Sequence, residues 1–294
     1  MNKPNFFIIG APKCGTTSMA AWLAEHPRVY MSSVKEPYYY SKDFSKNNKI
    51  FQKDTYYSLF HGAGEKHIVV GEASAGYLYS KVAVENIEKD IAGAKYLVLL
   101  RNPLEMVRSL HQQMLFDGDE DVFSFEKAWY LQGERELGKN IPDSCKEPSF
   151  LFYGKVCSVG SQMDRLLSLV SPDNVFAVLL DDVKVNPRQV WLSVQDFLGI
   201  PDDGRVSFPV RNKGKRRRCN YLRNINELYV KLQRWAKLPP IGVGGMSFLH
   251  KLNNAEQSKD PISKELGVAL KDYFKSDVML LGKIMGKDLS RWLL

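Results

Sequence analysis

No stretch of this 294-residue chain approaches the ~18 consecutive apolar residues that a membrane helix requires. Its longest apolar runs, such as Tyr96–Leu100 and Val175–Leu180, have the length of buried strands, so no membrane partner is expected. Cysteine is equally scarce. Cys14, Cys145, Cys157 and Cys219 form no CxxC pair and no grouping with histidine, which argues against a disulfide framework and against a metal site. At the start, Asn2, Lys3 and Pro4 lead directly into Phe6–Ile9, too short a run for the core of a signal peptide, so a cytoplasmic location is expected. Internal repeats and low-complexity tracts are absent as well. With 44% hydrophobic and 25% charged residues, disorder, collagen and coiled coil are excluded, leaving a folded globular protein. What the chain does have is positive charge. Lys and Arg outnumber Asp and Glu by 41 to 33, a formal +8. Such an excess points to an anionic partner: nucleic acid, a membrane surface, or a small phosphorylated or sulfated ligand.

Short apolar runs alternate with helical periodicity, the pattern of a parallel sheet with crossover helices. Phe6–Ile9, Ile68–Val70, Tyr96–Leu100 and Val175–Leu180 read as buried strands, and Val29–Met31 as a short one. Helices are expected over Thr17–His26, around Val82–Ile91, from Pro103 through Leu115, over Phe123–Leu137, Gln162–Val170, Pro187–Leu198 and Leu222–Leu238. A terminal helix is expected to open at Pro261 behind an Asp260 cap. The segment from Phe208 to Asn220 reads as a basic loop, and Pro239–Gly245 as a turning segment. No linker is long enough to force a division, so residues 1–294 are expected to form one α/β domain.

The most informative stretch is Gly10-Ala11-Pro12-Lys13-Cys14-Gly15-Thr16-Thr17-Ser18, between the first strand and the first helix. A strand–loop–helix turn aims several backbone N–H groups at one point, and the helix N-terminus adds about half a positive charge. With Lys13 and three hydroxyls nearby, the turn is suited to a phosphate-like anion. It is not a nucleoside-triphosphatase P-loop. That motif places Lys directly after the second glycine, and here Thr16 stands there while the lysine sits at position 13. A kinase or NTPase is therefore the lesser alternative.

Pro12-Lys13-Cys14-Gly15-Thr16-Thr17-Ser18 resembles the 5′-phosphosulfate loop of sulfotransferases that use 3′-phosphoadenosine 5′-phosphosulfate (PAPS), in the branch containing carbohydrate (heparan-type) and many bacterial enzymes. The resemblance implies a P-loop-like three-layer α/β fold with a central parallel sheet flanked by helices. It also implies sulfuryl transfer without a metal, with 3′-phosphoadenosine 5′-phosphate (PAP) as product. Lys13, Cys14, Gly15, Thr16, Thr17 and Ser18 would hold the phosphosulfate end, with Lys13 also acting on the transferring group. Arg101, closing the strand before Asn102-Pro103, and Ser109, eight residues on, match the pair that holds the 3′-phosphate. An arginine fork suits phosphate oxygens. The family's basic glycine-containing loop maps onto Lys213, Gly214 and Arg216.

Lys35-Glu36-Pro37-Tyr38-Tyr39-Tyr40 is similar to the segment whose glutamate is the family's general base, which assigns Glu36 that role and Tyr38 a place beside the acceptor. His111 is a competing base set behind it, since a lone helical histidine is usually a packing residue. Gly71-Glu72-Ala73-Ser74-Ala75-Gly76-Tyr77 is similar to the family's G-E-K-S-P-x-Y stretch, which puts Glu72 and Tyr77 on the acceptor side. Two departures matter: Ala73 replaces the lysine that commonly meets an anionic sugar, and Ala75 replaces proline. They favour a small-molecule acceptor, natural products included, bearing a hydroxyl or amine, over a glycan. A nucleic-acid binder using Lys213–Arg218 remains the non-enzymatic alternative, and no nucleic-acid partner is expected.

Overall fold

In the computed structural model, residues 3–44, 50, 52–211 and 262–294 are described, together with the backbone of 215–217 and 254–256. The chain divides into two compact units, Met1–Arg211 with Ile262–Leu294, and Asn212–Pro261. The larger unit is built on five parallel strands: β1 (Phe6–Gly10), β2 (Val29–Met31), β3 (Val69–Ala73), β4 (Lys95–Leu100) and β5 (Val175–Leu179), in the order β2-β3-β1-β4-β5. The expected α/β architecture is the one observed. In β1, Phe6 to Ile9 are wholly buried, which explains an uninterrupted apolar run. After β3 the chain crosses to the other side of β1 to lay down β4. The switch in direction opens a crevice at the carboxyl end of β1, the usual ligand position in open α/β sheets.

The helices of this unit are α1 (Thr16–Ala24), α2 (Lys53–Ser58), α3 (Ala83–Asp90), α4 (Pro103–Asp117), α5 (Phe125–Tyr130), α6 (Gln132–Glu136), α7 (Tyr153–Cys157), α8 (Val159–Leu169), α9 (Leu180–Val185), α10 (Pro187–Leu198) and α11 (Lys264–Met285). Among the described residues none is long and apolar enough to cross a membrane. Pro103 opens α4 at its first turn, where its missing N–H costs nothing, and Asn102 Oδ1 accepts from Leu104 N at 2.9 Å.

Several boundaries differ from expectation for identifiable reasons. The run Phe123–Leu137 is two short helices meeting at Leu131, where Gln132 Nε2 donates to the Trp129 carbonyl at 2.8 Å. The terminal helix begins at Lys264, not Pro261. Its cap is Ser263, whose Oγ accepts from Leu266 N at 3.1 Å, and Asp260 lies outside the described residues. Within the basic stretch read as loop, Lys215–Arg217 is a strand, β6, paired antiparallel with β7 (Asn254–Glu256); no local signal announces so distant a partner. The segments 222–238 and 239–245 lie outside the described residues.

Candidate active site

The turn after β1 is shaped by two left-handed residues, Lys13 (φ 64°) and Gly15 (φ 91°). Gly15 is the N-cap of α1, and no side chain caps that end. Ser18 N and Met19 N donate to the Gly15 carbonyl at 3.0 and 3.2 Å. The N–H groups of Gly15, Thr16 and Thr17 precede the first helical bond and form the usual orphan donors of a helix start. Ala11 N donates to Leu99 O at 2.7 Å, fastening the turn to β4. Thr17 is half-buried and Thr16 is buried. Ser18 is less free than expected: its hydroxyl accepts from Arg211 N at 2.9 Å, so it holds the chain at the entry to the basic run. Cys14 turns inward, fully buried, with Sγ 3.8 Å from Met106 Sδ and its N–H given to Ala11 O. Burial pushes its thiol up to about 12, so the side chain is filler and not a nucleophile.

The second anion element comes to the same place. Arg101, at the end of β4, donates through Nη1 to the Lys13 carbonyl at 3.3 Å, while Nε and Nη2 hold Glu105 Oε2 at 3.0 and 2.6 Å. Lys13 Nζ donates to Gln113 Oε1 at 2.8 Å, and Gln113 Nε2 donates to Asp117 Oδ2 at 2.9 Å. Glu105, Ser109, Gln113 and Asp117 follow Arg101 at intervals of four and so lie on adjacent turns of one face of α4. Ser109, half-buried, therefore sits between two residues that touch Lys13 or its partner Arg101. Burial lowers the Lys13 ammonium below its ordinary range, Asp117 opposes that, and Arg101 and Lys35 add to it. Burial likewise raises the Asp117 carboxyl. Gln113 and Asp117 were missed by sequence reasoning; the four-residue polar spacing after Arg101 was the available signal.

On the other side of β1, Glu36 and Tyr38 adopt left-handed backbone angles, φ 56° and 52°. Only four non-glycine residues do so among those described, and three of them are the expected site residues Lys13, Glu36 and Tyr38. Such conformations cost of order 1–3 kcal/mol each and persist where surrounding bonds impose them. Here the bonds are Glu36 N to Ala73 O at 2.9 Å, Ala75 N to Glu36 Oε2 at 2.8 Å, and Tyr38 N to Ser74 Oγ at 3.3 Å. Glu36 Oε1 pairs with Lys35 Nζ. The Tyr38 hydroxyl is raised well above its ordinary range by burial first and by Glu36 next, with smaller contributions from Glu72 and Asp117. The aromatic segment and the α4 face are thus in electrostatic reach of one another.

Glu72 and Tyr77, expected beside the acceptor, are both wholly buried. His111 is buried too, its Nε2 2.9 Å from the Val122 carbonyl and its ring edge-on to Tyr153, a packing role. Lys213 and Gly214 lie outside the described residues, and of Arg216 only the backbone, in β6, is described. No group of three or more His, Cys, Asp or Glu side chains among the described residues is arranged to hold a metal. The arrangement is a cationic cradle of backbone donors facing a pinned carboxylate across the central strand.

Known proteins resemble this chain in sequence and fold. The chain is 32% identical over 111 residues to the membrane-associated sulfotransferase kil1 of Dictyostelium discoideum, covering 37% of this chain and 22% of that protein. To the human bifunctional heparan sulfate N-deacetylase/N-sulfotransferase 3 it is 22% identical over 285 residues, 94% of this chain and 31% of that one. The chain therefore spans only between a fifth and a third of the length of these curated relatives. A solved sulfotransferase from Alicyclobacillus acidocaldarius superposes with a TM-score of 0.72 over 99% of both chains at 23% identity, a likeness of fold. The sulfotransferase domain model matches residues 3–212, from just before β1 to just past the segment tied to Ser18, and the chain belongs to that family.

Proposed function

We propose that the protein moves the sulfuryl group of PAPS onto a hydroxyl or amine of a small-molecule acceptor, with Glu36 as general base. The observation that carries this reading is the meeting of Lys13 and Arg101 at the carboxyl end of β1, with Arg101 Nη1 3.3 Å from the Lys13 carbonyl. Two cations and the orphan N–H groups of α1 converge there, and Ser109 lies on the α4 face between the contacts of Arg101 and Gln113. Those donors fit a nucleotide with two separate anionic ends. When bound, PAPS supplies an activated sulfuryl group on a phosphate leaving group.

The chain's own residues do the rest. The N–H groups of Gly15, Thr16 and Thr17 with Lys13 bind and orient the 5′ end, and their fixed charge balances what builds on its oxygens. Arg101 with Ser109 holds the 3′-phosphate. Lys213, Gly214 and Arg216 are proposed to add cover from the basic run. Glu36 Oε2 is held by Ala75 N and Oε1 pairs with the Lys35 ammonium, while the Tyr38 hydroxyl also hydrogen-bonds the carboxylate; in this reading Oε1 is the atom that accepts the acceptor's proton. Residues 1–294 act as one sulfotransferase domain in this reading.

The acceptor class rests on Ala73. This residue is buried at the end of β3 and brings no charge to a uronate or sulfated sugar. Several relatives carry glycan sulfotransferase names, so a glycan acceptor is the second reading. Isothermal calorimetry with PAP at low ionic strength tests the donor site: binding without added metal is expected, and absence of binding overturns the proposal. A mass-spectrometric screen for sulfuryl addition across small hydroxyl and amine compounds and glycans separates the two acceptor readings. Stabilisation by Mg²⁺–ATP with none by PAP would favour the kinase alternative.

A further inference from the structure

A carboxylate that the proposed reaction does not use lies directly beneath the segment that carries its base. Glu72 is wholly buried on β3. Its Oε1 accepts from the Tyr56 and Tyr77 hydroxyls, each at 2.9 Å, and its Oε2 accepts from Ser74 Oγ at 2.8 Å. Two of these donors are themselves acceptors for the aromatic segment. Ser74 Oγ takes the Tyr38 N–H at 3.3 Å, and the Tyr77 hydroxyl takes the Tyr40 N–H at 3.2 Å. The chain of bonds thus runs from one buried carboxylate to the backbone on either side of Tyr39, within the segment whose left-handed residues are Glu36 and Tyr38.

We propose that Glu72 is the positioning residue for Glu36: through Ser74 and Tyr77 its ionised carboxylate fixes the Tyr38 and Tyr40 backbone and thereby the aim of the Glu36 side chain. This rests on the reading of Glu36 as the base. The groups facing Glu72 are Tyr56 from α2, Tyr38 and Tyr40 from the segment after β2, Ser74 and Tyr77 from the turn after β3, and the Glu36 carboxylate. Among the described residues no Lys, Arg or His hydrogen-bonds or ion-pairs with Glu72. Burial, with Glu36 adding a like charge, pushes Glu72 up to about 7 against the pull of its three hydroxyl donors.

The ionised form accepts all three hydrogen bonds, whereas the protonated form must spend one oxygen as a donor. A proton on Oε2 makes that atom donate toward Ser74 Oγ, which then divides its lone pairs between Glu72 and the Tyr38 N–H. Protonation therefore loosens the clamp, and the clamp tightens as pH rises through neutrality.

The test follows the Tyr38 and Tyr40 amides by ¹⁵N NMR from pH 5 to 9 in the full chain, with Glu carboxyl carbons labelled. Both amides are expected to titrate with the Glu72 carboxyl, with a midpoint near 7. E72Q should freeze them at their acid-side positions at every pH while leaving the PAP dissociation constant within about twofold. Y56F removes one donor to the charged form and should raise the midpoint by about one pH unit. E36Q removes the like charge and should lower it. Once an acceptor is in hand, kcat should rise through the same midpoint with KM for PAPS unchanged, and that step should vanish in E72Q. Amides that titrate unchanged in E72Q, or a midpoint unmoved in Y56F, overturn the proposal. Y56F also keeps the test decisive should E72Q fail to fold. If PAP does not bind the wild-type protein, the donor reading falls while the amide titration still judges the clamp.

Discussion

The two sides of the central strand solve opposite electrostatic problems. On the β4 side, positive groups are gathered: the α1 start has no side-chain cap, and Arg101 lies close enough to Lys13 to disfavour its charge. Their partners Gln113 and Glu105 share one half-buried face of α4. On the β3 side the charge is negative and its hydrogen bonds are internal, with Glu72 carrying three hydroxyl donors and Glu36 held by a backbone N–H. The first side is built to be completed by an anion. The second is built to hold one carboxylate still. A fold can thus keep an anion-seeking cradle and a held carboxylate separable by setting them on opposite sides of one buried strand.

The largest effects should come where the two sides meet the reacting group. Lys13→Ala is expected to lower turnover by at least about a hundredfold, since it removes a full charge from a preorganised site. Glu36→Gln should lower it by about 10²–10⁴-fold, the usual worth of a positioned base. The comparison predicts a split in binding. Calorimetry should find PAP affinity weakened in the Lys13 variant and unchanged within about twofold in the Glu36 variant. Equal loss of PAP affinity in both would mean that the two sides are not separable.

Next in size is Arg101→Ala, a pure test of the cationic side. Loss of charge-assisted bonds to phosphate is worth about 1.5–3 kcal/mol, so PAP should bind about ten- to a hundredfold more weakly. Turnover at saturating PAPS should fall much less. A kcat loss with unchanged PAP affinity would move Arg101 out of the binding role and into the chemistry.

Much of the cationic side was legible in the sequence because its physics is local. An apolar run followed by a glycine-framed turn and a hydroxyl-rich helix start reads as an anion cradle without any tertiary information, and Arg101-Asn102-Pro103 reads as a strand end meeting a capped helix. That both would converge follows from parallel neighbours in one sheet. The carboxylate side was legible only in part. Glu36 was singled out by resemblance, but the burial of Glu72 involves Tyr56, which α2 brings from 16 residues away, and a helix of six residues leaves almost no periodic signal. The α9 turn after β5 escaped for the same reason. Resemblance placed Glu72 and Tyr77 near an acceptor; the side-chain direction that buries them is a matter of packing, not of motif.

A smaller effect should appear away from both sides. Asp277, on α11, caps the start of α8: its carboxylate accepts from Gly160 N at 2.7 Å and from Ser161 N at 2.8 Å. Asp277→Ala should cost about 1–2 kcal/mol in chemical denaturation, the range for a lost helix cap. PAP affinity should be unchanged. A shift in PAP binding would show that α11 and α8 communicate with the cradle, and would blur the contrast between a site and its scaffold.

The smallest effect separates the cradle's backbone from its side chains. Cys14 occupies the middle of the turn after β1, yet its thiol is buried against Met106 and pushed up to about 12, so at pH 8 it is neither ionised nor reachable. Iodoacetamide should leave it unmodified in the folded protein, and Cys14→Ala should keep PAP affinity within about twofold while losing about 1 kcal/mol of stability from the small cavity. Lys13→Ala, one residue earlier, changes the same turn by a charge and should abolish turnover. If the two neighbours instead weakened PAP binding alike, the turn's conformation and not its charge would be the quantity that binding measures. A Cys14 variant that binds normally beside a Lys13 variant that does not would locate the affinity in the ammonium and the helix N–H groups.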